Sequence, residues 1–67
     1  MQLRINGKDA ELAATTVAEL LAEQGIDPQT RFLAVAINGS VVRRTEWPIA
    51  GLAAGDHVEI VRPLQGG

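Results

Sequence analysis

Apolar and polar side chains alternate from the first residues. In "QLRIN" Leu3 and Ile5 fall on one side and Gln2 and Arg4 on the other, the two-residue period of a half-buried strand. Asn6-Gly7 follows, a pair that supplies the positive φ angles of a two-residue hairpin turn. "KDAELA" returns as a second strand with Ala10 and Leu12 inward, so the chain opens on a β-hairpin. The period then changes. Val17, Leu20 and Leu21 recur at helical spacing with Glu19 and Glu23 on the outer side, and Thr16 and Glu19 fit a capping box at the start. Gly25 stands where a left-handed residue ends a helix, and Asp27-Pro28 blocks continuation. With Leu20 in the core, Leu20→Ala is expected to cost about 2–5 kcal/mol.

"FLAVAIN" restores the period of two, with Leu33, Val35 and Ile37 on one face and Phe32, Ala34 and Ala36 on the other. Asn38-Gly39 turns it into "VVRR", a second hairpin that echoes the first "ING" turn. "TEWPIAGLAAGD" reads as a turn-rich connector whose Trp47, Ile49 and Leu52 tuck under the sheet. In the last strand, "HVEIVRP", Val58 and Ile60 point inward against Glu59, and Pro63 ends regular pairing because it has no N–H to donate. Hairpin, helix, hairpin, connector and strand make an α+β domain: one mixed sheet of about five strands with one helix packed across one face. The expected division is a single domain over residues 1–62 and a flexible tail over 63–67.

Composition narrows the function classes. A chain of 67 residues closes one small core and buries only about 60% of its unfolded surface. Net charge is −2 and the six Lys/Arg residues are scattered, so the basic stripe that nucleic-acid binding requires is missing. No apolar run approaches a bilayer span and no signal peptide precedes the first strand, which gives a cytoplasmic expectation. There is no cysteine, hence no disulfide, thiolate metal site or thiol nucleophile. His57 is the sole histidine; with only Glu59 nearby on the same strand face, it lacks the partners of a catalytic or metal site. Neither a phosphate-binding loop nor a dinucleotide turn is present, so no nucleotide is expected to be held by this chain alone. Asp9, Glu11, Glu19, Glu23 and Asp27 read as solvated charges.

Two features remain. With the helix on one face, Phe32, Ala34 and Ala36, joined by Val61, fall on the open face, where an apolar strip marks a partner-docking surface. The alternative is that the alanines are merely small and the connector covers Phe32. The second feature is the end, "VRPLQGG". Gly66 and Gly67 lose backbone entropy on ordering and have no side chain to offset it, so a mobile, exposed tail is expected. On the tail alone a frayed end or an expression scar is the favoured explanation. The third reading is function, because residues without Cβ thread a narrow channel and let another protein approach the terminal carboxylate.

The chain as a whole resembles the ubiquitin-like β-grasp proteins, and within them the sulfur carriers of thiamine biosynthesis, the ThiS family. The resemblance rests on "INGK", "TTVAELLAEQG", "VAINGSVVRRTEW" and "GDHVEIVRPLQGG", with Pro63 a mild departure. It implies a carrier that is not an enzyme and binds no cofactor of its own. An adenylating partner similar to ubiquitin-activating (E1) enzymes would use ATP to convert the Gly67 carboxylate to an acyl-adenylate. A persulfide from a cysteine desulfurase system would displace AMP, and the resulting thiocarboxylate would supply sulfur to thiazole synthase. Gly66 would be the slender neck behind the reacting atom, with Leu64 and Gln65 against the walls of the partner's channel. Rival readings are the small subunit of molybdopterin synthase, a carrier for tRNA thiolation, a ubiquitin-like protein modifier, and a non-covalent β-grasp interaction domain.

Overall fold

The computed structural model describes residues 1–62. Within them, five strands form one sheet: β1 (Gln2–Ile5), β2 (Lys8–Glu11), β3 (Ala34–Ile37), β4 (Ser40–Val42) and β5 (His57–Val61). The order across the sheet is β2-β1-β5-β3-β4, so the last strand enters between the two hairpins. β5 runs parallel to β1 and antiparallel to β3, which makes the sheet mixed. Both hairpins turn on the asparagine–glycine pairs, at φ of 51° and 81° for Asn6 and Gly7 and 50° and 85° for Asn38 and Gly39. Positive φ at both central positions defines the turn whose twist matches the flanking strands.

The helix α1 (Val17–Glu23) crosses one face. Its Val17, Leu20 and Leu21 are fully buried against Leu3, Val35, Val58 and Ile60, an aliphatic core that burial stabilises by about 1.5–3 kcal/mol per side chain. Helix starts leave orphan N–H groups, and here the connector supplies acceptors. The Val17 N–H donates to the Ala50 carbonyl and the Ala18 N–H to the Trp47 carbonyl, both at 3.0 Å. Thr16 is the N-cap, its Oγ1 accepting from the Glu19 N–H at 3.2 Å. The reciprocal half of the capping box moves back one residue. Glu19 Oε1 accepts from the Thr15 N–H and Oγ1 at 2.8 and 2.9 Å, while Thr16 itself bridges to Gly51. At the other end Gly25 takes φ 72°, and the Ile26 and Gly25 N–H groups donate to the Leu21 and Ala22 carbonyls. That is a Schellman close, and it folds Ile26 into the core.

Two expectations for the connector and the third strand need correction. Trp47 is buried and Leu52 packs on the core, but Ile49 is 80% exposed. The connector contains a 3-10 helix, Arg44–Glu46, continued by bonds from the Ile49 and Ala50 N–H groups to the Glu46 carbonyl. In such a turn residues two apart lie on roughly opposite sides, so turning Trp47 inward turns Ile49 out. Phe32 lies outside β3 altogether. It has φ 62°, so the period of two begins only after it. Among the described residues no helix is long and apolar enough to cross a membrane.

Candidate functional site: the open sheet face and the end of β5

The face turned away from α1 divides into two halves. On the β1–β2 side it is polar: Arg4 Nε meets Asp9 Oδ1 at 3.2 Å, and Gln2 stands opposite Glu11. On the β3–β4 side it is apolar. The register places Ala34 opposite Val61, and Ala36 between Val41 and Glu59. These residues, with Val35, line a shallow groove of about 140 Å³. Val41 and Val61 are 77% and 60% exposed. Glu59, at the boundary between the halves, takes part in none of the ion pairs among the described residues.

Of the residues expected on this strip, the structure brings Ala34, Ala36 and Val61 together and leaves Phe32 outside the groove. Phe32 is 78% exposed, so the connector does not cover it; the Arg31 guanidinium stands 5.6 Å from its ring centroid. Val41 is the residue that the sequence reading passed over. Its signal was available, because a two-residue Asn38-Gly39 turn fixes Val41 opposite Ala36 and therefore on the same face.

The charged residues that read as solvated are exposed, yet they are bonded. Glu23 Oε1 accepts from the Ala13 N–H at 3.0 Å, which ties the β2–α1 link to the helix, and Asp27 Oδ1 accepts from the Gln29 N–H at 2.8 Å. Glu11 meets the Met1 ammonium at 2.8 Å. The two Thr15 bonds hold the Glu19 carboxyl below its ordinary value, the Thr15 main-chain N–H contributing most. His57 is exposed on β5, and among the described residues no group of three His, Asp or Glu side chains is placed to hold a metal.

Behind the face, the connector is anchored by Arg44. Its guanidinium lies 4.7 Å from the Trp47 ring and donates to the carbonyls of Pro28 and Thr30, while Trp47 Nε1 donates to the Val42 carbonyl at 3.0 Å. β5 ends at Val61, at the rim of the apolar groove. The expected tail residues Pro63, Leu64, Gln65, Gly66 and Gly67 lie outside the described residues.

The ThiS family model matches residues 3–67. The chain belongs to the ThiS family. Its β-grasp fold is shared by the crystal structure of the thiamine biosynthesis protein ThiS from Geobacter metallireducens, 30% identical, with both chains covered in full and a TM-score of 0.81. An NMR solution structure of a thiamine biosynthesis protein from the same organism, also 30% identical, covers all of this chain and 88% of its own, with a TM-score of 0.79. No match is found among curated protein sequences. Membership makes the chain a ThiS-family sulfur carrier.

Proposed function

We propose that this chain carries sulfur for thiamine biosynthesis as a thiocarboxylate on Gly67, acting as a co-substrate of enzymes rather than as an enzyme. The observation that carries the reading is the family match, which runs through the Gly-Gly end to residue 67. The chemistry is what the family resemblance implies, and what the chain lacks is compatible with it. A carboxylate is a poor electrophile until one oxygen becomes part of a good leaving group. On an adenylating enzyme, a Gly67 carboxylate oxygen attacks the α-phosphorus of ATP and pyrophosphate departs. A persulfide supplied by a cysteine desulfurase then attacks the carbonyl carbon and AMP departs, leaving an acyl disulfide. Two electrons from a thiol cleave its S–S bond and free the thiocarboxylate, from which thiazole synthase takes sulfur. A nucleotide held by the partner agrees with a sequence that has no phosphate loop, and sulfur on the terminus agrees with a chain without cysteine; both absences permit the role without proving it.

Gly66 is the narrow neck that admits Gly67 to the reaction centre, with Leu64 and Gln65 against the channel walls. The folded body is gripped on the open face through Ala34, Ala36 and Val61, extended by Val41, with Phe32 a separate exposed anchor. Such an interface is expected to be modest and reversible, because the carrier leaves one enzyme to reach the next.

Intact mass spectrometry of protein from its native host tests the reading, with one oxygen exchanged for sulfur expected in part of the population. Fragmentation must place the change on Gly67, since oxidation of Met1 or Trp47 gives nearly the same nominal shift. Selective alkylation of the thiocarboxylate, with no cysteine to compete, is the independent check. Sulfur found elsewhere, or never at Gly67, removes the proposal. An isopeptide link from Gly67 to lysines would instead identify a protein modifier.

A further inference from the structure

The charged side chains of the open face are of two kinds. Those of the polar half are paired within the molecule, Arg4 with Asp9 at 3.2 Å and Glu11 with the Met1 ammonium at 2.8 Å. Two others border the apolar half. Glu59 lines the groove from β5, level with Ala36 and Val41. Arg43 follows β4 in extended backbone, at φ −65° and ψ 144°, so its side chain leaves on the same side as that of Val41. The next residue agrees with that alternation, because the Arg44 guanidinium lies behind the face against Trp47. Continued by one residue, the β3–β4 register sets Arg43 level with Ala34 and Val61. Glu59 and Arg43 are both exposed, and neither takes part in an ion pair among the described residues. Residues 63–67 contain no lysine or arginine to pair with Glu59. The apolar patch therefore carries opposite charges at diagonal corners. They lie two strands apart and one two-residue step out of level, which separates their Cα atoms by about 12 Å at ordinary strand spacings.

We infer that Glu59 and Arg43 determine which enzyme surface the open face accepts and in which orientation. The surface that fits carries a basic side chain opposite Glu59 and an acidic one opposite Arg43, at matching separation on either side of an apolar patch. This rests on the reading that the adenylating enzyme grips the open face. Apolar burial through Ala34, Ala36, Val41 and Val61 is non-directional, so by itself it holds a partner in many orientations. The diagonal charges remove that freedom. A half-turn of the partner about the normal to the face brings like charges together, and like-charge juxtaposition across an interface rejects the wrong arrangement. Charges at the rim of an interface act chiefly on encounter and selectivity, which suits a carrier that has to leave one enzyme for the next.

The experiment titrates the full-length carrier and its variants against the adenylating enzyme and compares Kd. Glu59→Lys and Arg43→Glu are each expected to raise Kd at least about tenfold. Glu11→Lys makes the same change of charge as Glu59→Lys on the polar half of the same face, and it should leave Kd within about twofold. The double variant Glu59→Lys with Arg43→Glu returns the chain to its net charge of −2, and it should still bind no better than the weaker single variant. Glu59→Gln and Arg43→Gln, each expected to raise Kd about threefold, stand in for a reversal that does not fold. Kd within about twofold of wild type for either reversal, an equal loss in Glu11→Lys, or recovery in the double variant overturns the inference. Should the reversals be silent while Ala36→Asp still weakens binding, the face stands and the inference alone falls. A wild-type chain that the enzyme neither binds nor adenylates overturns the proposed function itself, and the inference with it.

Discussion

Glu19 shows how much one exposed side chain can organise. Its carboxylate closes the start of α1 through Thr15, and these bonds favour the ionised form, so its pKa falls below the ordinary 4.5. A carboxyl with a lowered folded pKa contributes stability in full above its unfolded value and loses it as pH falls through the folded one. Thermal melts from neutral pH to about pH 3 are therefore expected to diverge below 4.5. There the wild type should lose Tm more steeply than Glu19→Gln, whose amide does not titrate, while above that pH the two curves run parallel. Parallel curves throughout the acid range would show that the Thr15 bonds do not discriminate between the protonation states. Single residues also mark the limit of periodicity as a guide. Phe32 and Ile49 were placed by extending a pattern past the point where the backbone leaves it, one at a positive φ and the other in a helical turn.

At the scale of elements, the strands, the helix and their order were legible because the buried side of each follows the two-residue or helical period and the Asn-Gly pairs mark both hairpin turns. The links were less so. Ile26 looks like a loop residue in the sequence, yet it is core because Gly25 reverses the chain at φ 72° and delivers it there. Arg44 was one scattered cation until the fold brought the Pro28 and Thr30 carbonyls to it from 16 and 14 positions away. Clamps of that kind depend on long-range geometry and leave no local signal. The Gly25 junction can be tested cleanly, since a Cβ built there meets nothing within 4 Å and any cost is conformational. Gly25→Ala should lower stability by about 1–2 kcal/mol, the cost of the left-handed region for a residue with a Cβ. Chemical denaturation at matched m-values measures it. An unchanged midpoint would mean that the helix can end in another way and that Ile26 is not tied to this close.

For the whole molecule, the proposed function makes the open face a handle and the tail a reactive end, and two changes should separate them. Ala36 is half-buried in the middle of the apolar half, between Val41 and Glu59, and its side chain points away from the core. Ala36→Asp places a second carboxylate beside Glu59 at little cost to packing. It should weaken binding to the adenylating enzyme at least about tenfold, through like-charge repulsion and desolvation in the interface. Deleting Gly66 and Gly67 should do the reverse, because the core of the described residues ends at Ile60. Tm should stay within about 2 °C, since residues without side chains have little apolar surface to contribute to stability. Binding should largely persist, and transfer of sulfur should be abolished. Calorimetric melts, titration against the enzyme and a sulfur-transfer assay on the same two variants decide the matter. If the shortened chain still delivers sulfur, Gly67 is not the carrier atom. If Ala36→Asp binds as wild type does, the enzyme grips another surface, and the exposed Phe32 on the turn before β3 becomes the first place to look.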